Sequence, residues 1–165
     1  MDSSRMKIVV FGQFNAGKST FIQAIDPQSR HVDVDSTEGK TTVAIDYGRA
    51  DIFGKKVYLF GTPGQERFEF VRDITELGMD AAILVVDSTC EIDEFTKTLY
   101  SHLKNTEVPV MIVMNKCDLV ESRPLLERDN FQNAKIYQVS ALNPLSARKA
   151  LEMFIESIPE REEIR

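Results

Sequence analysis

Short apolar runs that suit buried strands alternate with helical patterns along the whole chain, and this alternation sharply limits the folds it can adopt. Successive strand–helix–strand units build a parallel sheet, so we predict an α/β domain with helices on both faces of the sheet. The uninterrupted apolar runs place the parallel strands in segments that begin near Met6, Val57, Ala81, Val108 and Ala134.

The segment TVAIDYGRADIFGKKVYLFG differs, because its two strand patterns are separated only by a short turn around DIFGKK. We therefore predict that the 42–50 strand pairs antiparallel with the 55–61 strand. The polar run before it, residues 26–42, carries no helix or strand signal. Long connections of this kind in compact domains are usually functional or mobile.

Length and charge limit the classes of protein further. The chain has 165 residues, which suits a single domain over residues 1–165, and its formal net charge of −6 argues against nucleic acid as a main partner. Cys90 and Cys117 lie far apart without metal-site spacing, as in reduced cytosolic proteins. The sequence has no signal peptide, no stretch of about 20 apolar residues and no lipidation motif. We expect a cytoplasmic protein with no direct membrane anchor.

The segment GQFNAGKS, residues 12–19, matches the pattern G-x-x-x-x-G-K-[ST] between a predicted strand and a predicted helix. Gly12 and Gly17 permit backbone angles that turn successive N–H groups towards phosphate oxygens, and the helix N-terminus adds positive potential. Lys18 is expected to reach the β- and γ-phosphates, and the Ser19 hydroxyl to ligate Mg²⁺. We call residues 12–19 the phosphate loop.

The tetrapeptide NKCD, residues 115–118, follows the buried strand pattern VPVMIVM and so lies where parallel sheets bind ligands. The Asp118 carboxylate only accepts hydrogen bonds, which suits the N1–H and N2–H donors of guanine, and adenine lacks this pair. Asn115 is expected to tie this segment to the phosphate loop. The Lys116 stem can lie along the base while its charge stays hydrated.

The tripeptide SAL, residues 140–142, follows the predicted strand KIYQV and precedes the last helix. The Ala141 N–H is expected to donate to guanine O6, and the Ser140 hydroxyl to brace the loop. On its own a tripeptide is a weak signal, and its position after the other motifs gives it value. We call residues 140–142 the SAL loop.

With these motifs in this order, the chain resembles a small Ras-like GTPase over almost its full length. Phe14 in the phosphate loop, TTVAIDYG and YLFGTPGQERF are most similar to the prokaryotic branch related to MglA, whose members are often associated with Roadblock-type proteins. The resemblance implies a P-loop GTPase fold with a six-stranded, mostly parallel sheet, one antiparallel strand and about five helices.

The resemblance also implies roles for individual residues. Thr42 corresponds to the switch threonine that contacts Mg²⁺ and the γ-phosphate, with Thr41 as the alternative. Gly64 corresponds to the glycine that senses the γ-phosphate, and Gln65 to the glutamine that orients the attacking water. Of these and the motif residues, Ser19 and Thr42 are implied to bind the metal, and Gln65 and Lys18 to act in catalysis. The implied nucleotide contacts are Gly12, Phe14, Asn15, Ala16, Gly17, Lys18, Ser19, Thr20, Thr42, Gly64, Asn115, Lys116, Asp118, Ser140, Ala141 and Leu142.

Two switch segments follow from the same comparison, residues 31–42 and residues 62–78, and both are expected to meet regulators and effectors, Roadblock-type proteins among them. Within the second segment, one arginine and three apolar residues fit either a partner-binding patch or the packing of a helix on the sheet: Arg67, Phe68, Phe70 and Val71. The isolated residues His31 and His102 share no spacing with other metal ligands, and the sequence predicts no special role for them.

Two departures from the family pattern affect the mechanism. Phe14 is bulky where many Ras-like proteins have a small residue, which crowds an arginine finger that arrives from a partner. Gly61 stands where the Mg²⁺-organising aspartate is usual, so metal binding is expected to be weaker and GDP release to depend little on Mg²⁺. A different carboxylate, from the acidic segment with Asp33 and Asp35, could fill the gap.

The sequence therefore predicts a GTP/GDP switch with slow intrinsic hydrolysis and with Mg²⁺ as cofactor. A guanine-nucleotide scaffold with negligible hydrolysis is the alternative, favoured by Gly61 and disfavoured by Gln65. A small-molecule P-loop kinase fits poorly, because no lid or acceptor-site insertion is found in 165 residues.

Overall fold

The computed structural model describes residues 4–13, 16–35, 42–62, 78–116, 131 and 134–159. These residues form seven strands and three helices, and the bounds of the strands are β1 Arg5–Gly12, β2 Arg30–Asp35, β3 Thr42–Ile52, β4 Lys55–Gly61, β5 Ala81–Asp87, β6 Val110–Asn115 and β7 Lys135–Gln138. The helices are α1 Lys18–Ile25, α2 Glu94–Asn105 and α3 Pro144–Ser157. None of these helices is long and apolar enough to cross a membrane.

The strands form one sheet in the order β2-β3-β4-β1-β5-β6-β7. Strands β4, β1, β5, β6 and β7 are parallel, which confirms the predicted parallel set. The antiparallel pairing of β3 with β4 is also confirmed, and Ile52 pairs with Lys55 next to the turn. The predicted α/β architecture is therefore present.

The number of strands in the sequence prediction was wrong, because the sheet has seven strands and not six. The additional strand is β2, which lies inside the polar run 26–42 and pairs antiparallel with β3. Its sequence RHVDVD has only two apolar residues, Val32 and Val34. As an edge strand it needs backbone hydrogen bonds to a single neighbour, and it does not need the long apolar run of a central strand.

Helices cover both faces of the sheet, and each face has its own buried cluster. On one face, α1 and α3 pack through Phe21, Ile22, Leu151 and Phe154 against Val10 and Leu59. On the other, α2 packs through Leu99 and Leu103 against Val9 and Leu84, with Phe131 beside Tyr100. The helices follow from apolar stripes at helical spacing, and burying these stripes stabilises the sheet between them.

The parallel register brings the carboxyl ends of three central strands to one edge of the sheet. Gly12 at the end of β1 is paired with Val85 on β5, and Asp87 at the end of β5 is paired with Asn115 at the end of β6. Ligand sites of open α/β sheets lie at this edge. The phosphate loop and the NKCD segment therefore begin side by side.

Candidate nucleotide site

The phosphate loop turns directly from β1 into α1. Gly17 precedes the helix in a left-handed backbone conformation, with φ of 100°. The Ala16 N–H donates to the Gln13 carbonyl at 3.1 Å, and the Phe21 N–H donates to the Gly17 carbonyl at 2.8 Å. The helix therefore starts within the loop, and its N-terminal N–H groups face the region where an anion is stabilised.

Lys18 is the first residue of α1, and its side chain is buried although it carries a charge, with 7% of the residue exposed. Its ammonium donates to the Gly12 carbonyl at the other end of the phosphate loop. The Lys18 side chain thus reaches across the phosphate loop, in which it is predicted to contact the β- and γ-phosphates. Ser19 and Thr20 follow on the same helix, Ser19 exposed and Thr20 partly buried.

Asn115 links the phosphate loop to the SAL loop. The residue is buried, with 3% of it exposed. Its Nδ2 donates to the Ala16 carbonyl at 3.0 Å, and its Oδ1 accepts from the Ala141 N–H at 3.0 Å. The tie to the phosphate loop is the one that the sequence predicts, and the second tie, to the SAL loop, was not predicted.

The close approach of Asn115 explains the glycine at position 17. A Cβ added to Gly17 would overlap the Asn115 amide nitrogen. The positive φ of Gly17 is a second reason, because side chains other than glycine adopt it at a cost. Both the backbone conformation of the turn and the close approach of Asn115 thus favour glycine at position 17.

Lys116 has a partner that the sequence did not identify. Its ammonium lies 2.8 Å from the Asp87 carboxylate, and both side chains are partly exposed. Partial burial alone would raise the pKa of the Asp87 carboxyl, but hydrogen bonds from Lys116 and Thr89 outweigh it, and its pKa lies below the usual value. Asp87 ends the apolar run AAILVVD at the carboxyl end of a central strand, which is a signal that could have indicated it.

The SAL loop is braced mainly through its backbone. The Ser140 N–H donates to the Ser146 hydroxyl at 3.3 Å, and the Ser140 carbonyl accepts from the Asn143 N–H at 2.9 Å. The sequence predicted bracing by the Ser140 hydroxyl, and it did not identify Ser146. The Ala141 N–H, predicted to face guanine O6, donates to Asn115, while Leu142 is 82% exposed. A contact of this loop with a base stays a prediction.

A carboxylate lies beside Ser19 although Gly61 has no side chain. The Ser19 hydroxyl donates to Asp46 Oδ2, and Asp46 is the residue of β3 paired with Gly61 on β4. On its other side, Asp46 Oδ1 lies 2.7 Å from Nδ1 of His31. Neither Asp46 nor this role for His31 was identified from the sequence. Asp33, one of the two suggested replacements, is exposed on β2 and paired with Ala44.

The segments predicted as switches adjoin strands: residues 31–42 include most of β2 and end at the first residue of β3, and residues 62–78 begin directly after β4. Thr42 is the first residue of β3 and is paired with Asp35 on β2. Thr62 begins the second segment, and both its N–H and its hydroxyl donate to the Val10 carbonyl, at 3.0 Å and 3.2 Å. Thr62 is buried, so this contact fixes the segment to β1 at its start.

The other predicted site residues lie outside the described residues, and their roles stay predictions. These residues are Phe14, Asn15, Thr41, Gly64, Gln65, Arg67, Phe68, Phe70, Val71 and Asp118. Among the described residues, no group of three or more histidine, cysteine, aspartate or glutamate side chains gathers as a metal site.

Comparison with known proteins gives relatives of this chain. An uncharacterized protein of Methanocaldococcus jannaschii is 35% identical over 119 residues, which is 72% of this chain and 75% of that protein. GTPase Der of Flavobacterium johnsoniae is 30% identical over 178 residues, which is 95% of this chain and 40% of Der. The chain therefore spans less than half of the length of Der.

Comparison with solved structures supports the same fold. The G domain of the T. maritima FeoB iron transporter has a TM-score of 0.74, covers 92% of this chain and 98% of that domain, and is 20% identical in sequence. At this identity the likeness concerns the fold, and it confirms the predicted P-loop GTPase fold. The sequence profile described as 50S ribosome-binding GTPase matches residues 7–116, two-thirds of the chain. The chain belongs to this family of GTPases, and it is a GTP-binding domain with the P-loop GTPase fold.

Proposed function

We propose that this protein is a single-domain GTP/GDP switch, over residues 1–165, that hydrolyses GTP slowly by itself. The observation that carries the proposal is the position of Asn115, whose buried amide hydrogen-bonds to both the phosphate loop and the SAL loop. A ligand that meets both loops has a phosphate chain at one end and a base at the other, which is the chemistry of a nucleotide. One side chain thus fixes the separation of the two halves of the site.

Recognition of guanine rests in this proposal on Asp118, which follows Asn115 and Lys116 in the NKCD segment. The Lys116 ammonium is held by Asp87, so the segment is attached to the end of β5 as it leaves β6. The Ala141 N–H donates to Asn115, so its contact with guanine O6, which is part of the same proposal, requires the base oxygen to share or replace this hydrogen bond.

Binding of the phosphates falls to Lys18 and to the N–H groups at the start of α1. The Lys18 ammonium has three N–H donors, and exchange of protein acceptors for phosphate oxygens would bring its charge onto the β- and γ-phosphates. Because Lys18 is buried, its charge acts with little screening by water. The net charge of −6 makes this local positive charge necessary for an anionic ligand.

The residues beside the phosphate loop suit Mg²⁺, because the Ser19 hydroxyl and the adjacent Asp46 carboxylate are oxygen donors. Ser19 and, after a rearrangement, Thr42 would hold the ion. When it is bound, Mg²⁺ neutralises charge on the β- and γ-phosphates. Mg²⁺ usually combines few protein ligands with substrate phosphates, and the Ser19 hydroxyl with the neighbouring Asp46 carboxylate agrees with this chemistry.

Hydrolysis in this proposal is the in-line attack of a water that Gln65 orients, with the developing charge stabilised by Lys18 and the loop N–H groups. The contact of Thr62 with Val10 fixes the start of the segment that carries Gln65. Phe14 in the phosphate loop crowds an arginine finger from a partner, which favours slow turnover.

Movement of the first switch segment follows from the register of β3. Thr42 lies four residues before Asp46 on the same strand, which is about 13 Å at the usual rise of a strand. Asp46 is in contact with Ser19, so Thr42 reaches a metal at Ser19 only if the start of β3 leaves β2. We propose that γ-phosphate drives this change and that loss of the γ-phosphate reverses it.

The experiment is to purify the protein, identify its bound nucleotide, and measure phosphate release from GTP in a single turnover. We expect GDP or GTP to copurify and phosphate to be released slowly, and Gln65→Leu to slow release without loss of GTP binding. Gln28→Leu, on the exposed segment after α1, is the matched control and should leave both quantities unchanged. GTP binding with no release from the natural protein would favour the scaffold alternative.

The regulators are a further part of the proposal. The segments TTVAIDYG and YLFGTPGQERF and Phe14 favour an MglA-related protein in the cytoplasm whose switch segments, 31–42 and 62–78, bind a Roadblock-type protein. The expectation that nucleic acid is not a main partner rests on net charge alone, and the description of the matched family as ribosome-binding does not support it. Copurification of candidate Roadblock-type proteins with the GTP-loaded and GDP-loaded forms tests the proposal, and equal binding by both forms would argue against a switch.

A further inference from the structure

Asp46 and Ile22 border the space that a side chain at position 61 would occupy. Asp46 and Gly61 are paired across the antiparallel strands β3 and β4, and side chains of such a pair lie on the same face of the sheet. A Cβ added to Gly61 would lie 3.2 Å from Asp46 Cβ, 3.5 Å from Asp46 Oδ2 and 2.8 Å from Ile22 Cδ1. The glycine therefore makes room for a carboxylate that comes from the neighbouring strand.

In the hydrogen bond between Ser19 and Asp46, the Ser19 hydroxyl is the donor, as it must be if Ser19 is also to bind a metal. A hydroxyl that donates its hydrogen to a carboxylate keeps its lone pairs for a cation. Carboxylates that accept hydrogen bonds from metal ligands fix the orientation of those ligands and raise their affinity for the metal. Asp46 is thus placed to orient Ser19 through its Oδ2 atom.

His31 holds the other oxygen of the same carboxylate. Its Nδ1 lies 2.7 Å from Asp46 Oδ1, with 73% of the His31 side chain exposed and only 18% of the Asp46 side chain exposed. The pair is also matched in the register of β2 and β3. The imidazole on the solvent side and the hydroxyl on the site side together leave the Asp46 carboxylate a single orientation.

We infer that Asp46, on β3, orients Ser19 and so performs for Mg²⁺ the task of the carboxylate that Gly61 lacks. This inference rests on the proposed function, since it concerns the metal that accompanies the nucleotide. Asp46 is a positioning residue, because it would act on the metal through Ser19. GDP release should therefore depend on Mg²⁺, which is the opposite of the expectation from Gly61 alone.

The test measures the dissociation rate of a fluorescent GDP analogue as free Mg²⁺ is varied. In the natural protein, we expect Mg²⁺ to slow dissociation. In Asp46→Asn, we expect the Mg²⁺ concentration for half of the effect to rise about 10–100-fold, while GDP affinity in the presence of EDTA stays unchanged. Coincident Mg²⁺ curves for the two proteins, or a natural protein whose rate ignores Mg²⁺, would overturn the inference.

Two further variants separate the role of Asp46 from general effects on folding and charge. Asp51→Asn removes the same charge from an exposed site on β3 itself, outside both predicted switch segments, and its Mg²⁺ curve should match that of the natural protein. The exchange variant D46G/G61D returns the carboxylate to β4 and should restore most of the Mg²⁺ dependence. A shift in Asp51→Asn as large as that in Asp46→Asn would assign the effect to general charge and overturn the inference.

GDP binding by the natural protein distinguishes failure of the proposed function from failure of the role assigned to Asp46. If the natural protein bound no GDP at all, with or without Mg²⁺, both the proposed function and the role of Asp46 would be wrong. If GDP bound and only the Mg²⁺ curves coincided, the role of Asp46 alone would be wrong.

Discussion

The Lys116 ammonium and the Asp87 carboxylate, 2.8 Å apart, join the carboxyl ends of two neighbouring strands. Lys116 has a positive φ of 62°, so the chain changes direction where the salt bridge forms. Asp87 also accepts from the Thr89 N–H at 2.9 Å. The carboxylate thus fixes the turn after its own strand and the start of the NKCD segment together.

Replacement of Asp87 by asparagine should weaken GDP binding and destabilise the fold slightly. The lost charge releases Lys116, and for a partly exposed pair we expect a cost on the order of 1 kcal/mol in the free energy of unfolding. Urea denaturation and GDP titration measure the two effects. Glu152→Gln, in the partly exposed pair with Arg148 on α3, is the matched control and should leave GDP affinity unchanged. Equal GDP affinity in Asp87→Asn and the natural protein would contradict the proposed support of the base site.

The same carboxylate predicts how stability depends on pH. The pKa of Asp87 is lower in the folded chain than in the unfolded chain. The contribution of this carboxylate to the free energy of unfolding is therefore complete above the unfolded pKa of about 3.9, and it is lost as the pH falls through the folded pKa. The difference in unfolding free energy between Asp87→Asn and the natural protein should therefore shrink as the pH falls below about 4. Urea midpoints of both proteins at pH 7 and below pH about 4 measure this difference. A difference in unfolding free energy that grew as the pH fell would contradict the prediction.

Gly17→Ala should abolish nucleotide binding. The new methyl group would overlap the Asn115 amide and must also adopt a positive φ, which costs about 1–2 kcal/mol by itself. Gly54→Ala isolates the second effect, since Gly54 has a φ of 78° and a Cβ there would meet nothing within 4 Å. We expect both variants to lose stability in thermal unfolding and only Gly17→Ala to lose GDP binding. If both bound GDP equally well, the contact between Gly17 and Asn115 would not matter for the site.

How much of the site could be predicted from sequence depends on whether the information is local. The phosphate loop and its turn into α1 follow from adjacent residues, so the sequence indicated both. Strand β2 was missed because the run RHVDVD is mostly polar, although Val32 and Val34 alternate with polar residues as expected for a half-exposed strand. A search for alternation, in place of apolar runs, would have found it.

The position of Asp46 depends on the register between two strands, which a motif does not contain. The turn that sets this register consists of Phe53 and Gly54, which both have a positive φ, as in two-residue hairpin turns. Since this turn pairs Ile52 with Lys55, counting outwards places Asp46 opposite Gly61. The sequence analysis recognised the hairpin and the missing aspartate separately, and only the register connects them. The contact of Asp46 with Ser19 needs the packing of α1 on the sheet as well, which sequence alone did not provide.

Asn115→Ala should destabilise the fold as well as the site. The truncation leaves the Ala16 carbonyl and the Ala141 N–H without their asparagine partner in a buried place, and we expect a loss of about 2–4 kcal/mol in the free energy of unfolding. Asn105→Ala, at the exposed end of α2, makes the same substitution and should change stability by no more than about 0.5 kcal/mol. Urea denaturation compares the two variants, and similar midpoints would show that Asn115 does not hold the loops together.

Asp118→Asn should change the preferred base from guanine to xanthine. The carboxylate offers two acceptors to the N1–H and N2–H groups of guanine, whereas an amide offers one acceptor and one donor, which suits the carbonyl that xanthine has in place of the amino group. We expect GTP binding to weaken by about 2–4 kcal/mol and XTP binding to become the tighter of the two. Asp93→Asn is the control for loss of one negative charge, because Asp93 caps α2 through the Thr96 N–H and asparagine caps helices equally well. Competition between GTP and XTP for each variant measures the preference, and full GTP affinity in Asp118→Asn would show that another residue reads the base.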